Sequence, residues 1–258
     1  MLISHEVPLK LLNYSRKFND FDYCLVHLLP QYGEYYNFYK ESLALNREVM
    51  LDNSIFELGT AFAADKFAEW IVKLQPTYYI VPDVLEDAEQ TMQNCKHWIK
   101  NYKNLPGKII GVVQGHDYKS IIDCYKYINS VADVIAISFG YSYYEALYPH
   151  VNKYVSWMNG RILLINKLLK DGILNINKPH HLLGCGLPQE FIYYRNMPFI
   201  RSVDTSNPIV HAIKNMPYNN WGLLDKERLK LVDLFNTSEI NIELINYNVK
   251  KFKEFCGR

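Results

Sequence analysis

The chain has 258 residues, of which 49% are hydrophobic and 21% charged, with a formal net charge of +1. Such a composition is that of an ordinary globular protein and excludes a disordered or low-complexity chain. The even charge balance excludes a uniformly basic nucleic-acid binder, so any such role must rest on Lys and Arg gathered on one face.

In chain order, Tyr23 to Leu28 is predicted as a first buried strand, after an N-terminal segment that ends in the turn-like Asn19-Asp20. A polar, aromatic connection around Gln31-Tyr-Gly-Glu-Tyr-Tyr leads into a helix that reaches Leu45. Val49-Met-Leu-Asp52 is the next strand, and it breaks into the polar turn Asn53-Ser54. Phe62, Phe67, Trp70, Ile71 and Leu74 recur at helical spacing, which predicts a helix over Thr60 to Leu74. Strands follow over Tyr78–Val81, Lys108–Val113, Asp133–Ile137, His181–Leu183 and Phe199–Val203. The helices between them are predicted from Glu86 to Tyr102, Tyr118 to Asn129 and Val151 to Leu169, with a short one from Pro188. Two more helical patterns lie beyond Lys226. Apolar runs alternating with helices imply βα units around a parallel sheet. Their number suits a closed barrel better than an open sheet. The expectation is an α/β fold: a single TIM-like (β/α)8 barrel domain over residues 1–258, with room for irregular terminal units.

Five scattered cysteines form no C-x-x-C pair, against a zinc knuckle or a disulfide framework. No uncharged apolar run is long enough to span a bilayer, and no signal-peptide leader is apparent. A cytoplasmic setting without a membrane partner is therefore expected. His180 and His181 are adjacent in a strand and point to opposite faces, so they read as structural rather than as a metal pair. No metal or cofactor is expected.

Polar groups follow nearly every strand: Asp52, Asp83, Gln114, Ser138 and Asp204. Any one of them alone reads as a helix cap or a turn residue. In a barrel, however, strand C-termini converge on one mouth, where chemistry is placed. Gln114-Gly115 offers a carboxamide beside an approachable backbone, or a simple turn. Gly184-x-Gly186 is a weak phosphate-loop signal.

These residues together resemble the tRNA-guanine transglycosylase (queuine tRNA-ribosyltransferase) superfamily. Asp52-Asn53-Ser-Ile-Phe56-Glu57 is similar to the family's D-S-G-G-F/Y-Q, and Pro82-Asp83 to its F-D-E segment. Gly111-Val-Val-Gln114-Gly115 resembles G-I-V-Q-G-G, and Ile135-Ala-Ile-Ser138-Phe139-Gly140 stands at G-G-L-A-V-G. His181-Leu-Leu183-Gly-Cys-Gly-Leu-Pro188 resembles Y-L-M-G-V-G-T-P, and Ser202-Val-Asp204-Thr-Ser matches the strand carrying the nucleophilic Asp. The order and spacing from Val49 to Pro208 make the resemblance specific.

The resemblance implies a β/α barrel that breaks the N-glycosidic bond of a nucleotide within a nucleic acid and exchanges its base. By position, Asp204 is the nucleophile toward C1′ and Asp52 the general acid/base. Asp83 and Gln114, with Gly115, read the base's hydrogen-bonding edge, while Phe56 and Leu183 sandwich its face. Asn53, Glu57, Ser138, Phe139 and Gly140 belong to the same substrate-binding segments. The family's three cysteines and histidine that hold zinc are missing, since only Cys256 follows Asp204. Glu57 replaces a glutamine, Ile55 a glycine and His116 a second glycine, and Phe139 narrows the place for a base substituent. The resemblance is therefore closest to the zinc-free relatives, known from phages and bacterial islands, that place 7-deazaguanines into DNA. The expected partners are nucleic acid, DNA in preference to tRNA, and a free nucleobase such as a 7-deazaguanine. Two rivals share the residues: a DNA glycosylase that resolves the same intermediate with water, and a non-catalytic nucleobase- or nucleic-acid-binding barrel.

Overall fold

A computed structural model of the chain describes residues 1–223, 225, 233 and 240–258. Eight strands form one sheet: β1 (Leu2–Ser4), β2 (Asp22–Leu25), β3 (Val49–Asp52), β4 (Tyr78–Ile80), β5 (Lys108–Val113), β6 (Val134–Ile137), β7 (His180–Leu182) and β8 (Ile200–Asp204). Their order is β1-β8-β7-β6-β5-β4-β3-β2, and the paired strands run parallel. The helices among them are α1 (Leu12–Ser15), α2 (Gly33–Ala44), α3 (Ile55–Leu58), α4 (Ala64–Leu74) and α5 (Ala88–Asn101). Then follow α6 (Tyr118–Val131), α7 (Ser142–Leu147), α8 (Lys153–Lys170), α9 (Asn207–Ile213) and α10 (Ile242–Phe255). Sequential strands as neighbours, with helices at the crossovers, are the α/β arrangement of a TIM-like (β/α)8 barrel.

Several predicted boundaries move, each for a local reason. β1 was not among the predicted strands; its residues pair in register with β8, Ser4 opposite Asp204. β2 stops at Leu25, and Val26–Leu28 wind into a 3-10 turn instead of continuing the strand. The helix predicted from Thr60 begins at Ala64. Gly59, at φ 79°, ends the separate turn α3, and Phe62 N bonds back to Asn53 O at 2.9 Å, which keeps residues 60–63 out of the helix. β7 lies one residue earlier than expected, so Leu183 is the first loop residue. Of the two helical patterns beyond Lys226, the second is α10 and the first lies outside the described residues. Among the described residues no helix is long and apolar enough to cross a membrane.

By contacts the chain divides into two compact units. One comprises Phe21–Ser138 and Asn175–His181. Its core is built by helices that each bury one stripe: Phe67, Ala68, Ile71 and Leu74 of α4, and Ile121, Cys124, Tyr125 and Ile128 of α6. Trp98 of α5 packs on Tyr102, Phe67 and Tyr79 at ring separations of 4.4, 5.5 and 6.0 Å. The other unit comprises Met1–Asp20, Phe139–Leu174 and Leu182–Arg258. There Gly160 lets α8 approach α7 so closely that an added Cβ would sit 2.6 Å from the Tyr144 Cα.

Candidate functional site

The helices after β4 and β5 are capped by Asp87, which accepts from Gln90 N at 2.9 Å, and by Asp117, which forms a capping box with Ser120. Asp83 and Gln114 are therefore not caps. Instead they meet: Gln114 Nε2 donates to Asp83 Oδ2 at 2.6 Å, and Asn53 Nδ2 donates to the other oxygen, Oδ1, at 2.7 Å. Both amides are oriented by backbone. Asn53 Oδ1 accepts from Ile55 N and its Nδ2 also donates to Val81 O, while Gln114 Oε1 accepts from Glu86 N. Asp83 is 3% exposed. Burial pushes its carboxyl above the usual range, against the pull of the Asn53 and Gln114 amides. Hydrogen bonds to an ionised acceptor contribute about 1.5–3 kcal/mol each, which offsets part of that burial cost. The three side chains thus form a fixed polar row at the ends of β3, β4 and β5. A cleft of about 340 Å³ opens beside it, walled by Ile55, Phe62, Pro82, Asp83, Val84 and Trp98.

Asp52 ends β3 and is 8% exposed. Its Oδ2 accepts from Ser54 N at 2.6 Å, closing a tight side-chain turn, and its Oδ1 accepts from the Tyr23 hydroxyl at 3.0 Å. Ser54 is held at φ 61°, ψ 26°, a left-handed conformation that costs a non-glycine residue on the order of 1–3 kcal/mol. One Asp52 oxygen thus folds the loop, and the other meets a phenol. Tyr23 in turn stacks on His181, with ring centroids 6.1 Å apart.

In the other unit, Asp204 ends β8, is 4% exposed, and accepts from Gly184 N at 3.2 Å through Oδ1. Gly184 sits at φ 63°, and a Cβ there would meet Phe139 Cδ1 at 2.4 Å. Phe139 also packs edge-on against Trp157, and Gly140 leaves room for that indole. Ser4, in register with Asp204, is fully buried, and its hydroxyl has no hydrogen-bond partner among the described residues.

The structure brings Asn53, Asp83 and Gln114 into one network. Phe56, on α3, is 41% exposed, and Leu183 is half-buried. Glu57 and Ser138 are half-buried. Gly115 is packed rather than open on its Cβ side, where Ile121 N would lie 2.8 Å away. His180 and His181 face different partners: His180 lies 2.9 Å from the Tyr125 hydroxyl through Nε2, while His181 rests on Tyr23. Among the described residues no cluster of His, Cys, Asp and Glu has the arrangement of a metal site.

Sequence reasoning missed the residues that hold the acids. Tyr23 read only as the start of a strand; it pairs in register with Met50, two residues before the acid its hydroxyl reaches. Arg161 and Glu190, which grip the Leu183–Gly184 loop, left no readable trace. No known family model matches the chain, and no curated protein is significantly similar to it.

Proposed function

We propose that the protein is a base-exchanging transglycosylase acting on a guanine- or 7-deazaguanine-type nucleobase in nucleic acid, DNA in preference to tRNA. One observation carries this reading: three buried carboxylates, Asp52, Asp83 and Asp204, stand at strand C-termini and none of them caps a helix. In the mechanism, an Asp204 oxygen attacks C1′ as the N-glycosidic bond breaks. The bond's electron pair leaves on the base nitrogen, which takes a proton from Asp52. The incoming base gives a proton back to Asp52 and displaces the Asp204 carboxylate from C1′. Splitting the exchange through a covalent intermediate lowers each barrier, and a carboxylate suits the oxocarbenium-like centre. The target nucleotide leaves its stack to react.

Asp83 and Gln114 supply the recognition. A guanine-type edge offers N–H donors and one carbonyl. Asp83 keeps acceptor capacity beyond its two amide donors, and Gln114 Nε2 has a second N–H. The reading requires the acids of β3 and β8 to flank one sugar. Its test is nucleoside mass spectrometry of DNA and RNA from cells expressing the protein or its Asp204→Asn variant, with 7-deazaguanine precursors supplied. A modified nucleoside present only with the active chain is the expected result. Identical nucleoside pools in both strains, with both proteins folded, would reject the reading.

A further inference from the structure

Arg161 is buried completely in the middle of α8, an unusual place for a guanidinium. Its Nε and Nη2 donate to Glu190 Oε1 and Oε2 at 2.6 and 3.0 Å, a two-pronged pair with nothing exposed. Burial works against the charge most strongly, and Glu190 together with its neighbours more than offsets it, so the guanidinium stays protonated. Tyr194 donates its hydroxyl to the same oxygen, Glu190 Oε1, at 2.7 Å and helps to fix the carboxylate. Two further guanidinium N–H groups donate to backbone: Nη1 to Leu183 O at 2.9 Å and Nη2 to Gly184 O at 3.1 Å.

Those carbonyls belong to the loop that touches Asp204. The Leu183–Gly184 peptide is planar and trans, so its C=O and its N–H point in opposite directions. Arg161 takes the C=O, and the N–H, which is Gly184 N, is thereby aimed at Asp204 Oδ1. Phe139 blocks the space a side chain would need at position 184, and the left-handed φ there suits only glycine without strain. A buried ion pair is a poor source of net stability, because apolar residues of similar volume do as well or better. What such residues do not supply is a planar donor that spans two successive carbonyls.

We propose that Arg161, held by Glu190, is a positioning residue for the carboxylate of Asp204: it sets the plane of the Leu183–Gly184 peptide, whose N–H orients that carboxylate. The activity arm rests on the reading of Asp204 as the nucleophile; the structural arm does not.

Two measurements test it on the full chain. The double variant Arg161→Met/Glu190→Leu removes the pair while keeping an apolar core, and Arg161→Lys keeps a charge on Glu190 without the fork. Labelling leucine carbonyls with ¹³C and glycine nitrogens with ¹⁵N singles out only two Leu–Gly steps, 58–59 and 183–184, among the 12 glycines. The Gly184 amide resonance is expected to move in Asp204→Asn, and to move toward that position in both pair variants. In the base-exchange assay kcat is expected to fall on the order of 10²-fold, as for an ångström-scale misplacement of a reacting group, with KM for the free base little changed. Arg161→Lys is expected to recover only part of the loss. A Gly184 resonance unmoved in folded double variant, or kcat within about twofold of the parent, overturns the inference. Should the double variant fail to fold, the same two outcomes in Arg161→Lys decide it. If the parent chain exchanges no base, the functional reading falls, and the Gly184 resonance alone decides whether Arg161 controls the peptide.

Discussion

Converting either acid to its amide separates their roles. Asp204→Asn keeps the shape and can still accept from Gly184 N, yet an amide oxygen is a far weaker nucleophile toward C1′. Turnover is expected to vanish, with the melting temperature nearly unchanged. Asp52→Asn keeps the proposed nucleophile but slows proton transfer both to the leaving base and from the incoming one, so a covalent enzyme–nucleic acid adduct is expected only with this variant and not with Asp204→Asn. Denaturing gels of both variants with labelled single-stranded DNA, duplex DNA and tRNA read this directly and name the substrate. An adduct persisting in Asp204→Asn would place the nucleophile elsewhere. Asp83 carries a pH signature. Burial raises its folded pKa above the unfolded value of about 3.9, so its contribution is full below that value and is lost as pH rises through the folded one. The parent chain should thus lose stability relative to Asp83→Asn as pH rises above about 4. Melting temperatures of the two proteins across that range measure it, and a gap that moves the other way would mean the amide donors outweigh burial.

At the scale of elements, the clearest test is Gly160 in α8. Helix propensity alone favours alanine there by about 1 kcal/mol. The backbone of Tyr144 lies where the new Cβ would go, so Gly160→Ala should instead destabilise by about 1–3 kcal/mol as α7 and α8 are forced apart. Chemical denaturation gives the sign. What could be read from the sequence follows the same division between local and distant causes. β3 and β5 were legible because three to five apolar residues end in a polar turn, and α4 and α6 because their stripes repeat at helical spacing. β1 escaped, since three residues carry no period, and its partner lies some 200 positions away in β8. α7 escaped for its length, and α3 because Gly59 cuts it off after one turn. In the candidate site, the polar residues at strand ends were legible as a recurring pattern. Their wiring was not: nothing local says that Gln114 and Asn53 share the carboxylate of Asp83, or that Arg161 reaches residues more than 20 positions on.

For the molecule as a whole, acid is the predicted weakness. Burial lowers His5 and His180 to about 4, so both stay neutral when folded while an unfolded chain protonates them below about 6.5. Their stabilising contribution is present above that value and is lost as pH falls from 6.5 toward 4, a loss of about 3 kcal/mol for each as an order of magnitude. His180→Phe should flatten part of the fall in melting temperature over that range, at the expense of the bond to Tyr125; an unchanged slope would mean that other groups govern it. The pairing of β1 with β8 has a further consequence, for the order of events during synthesis. Leu2–Ser4 leave the ribosome before the other strands, and their register partners Ser202–Asp204 arrive about 200 residues later. Residues 21–138, by contrast, carry β2 to β6 as an unbroken stretch whose strands pair with the next one made. Vectorial growth therefore favours that stretch as the first to settle, while the opening segment waits. The Asp204 carboxylate then gains its register neighbour Ser4 only at the last pairing of the sheet.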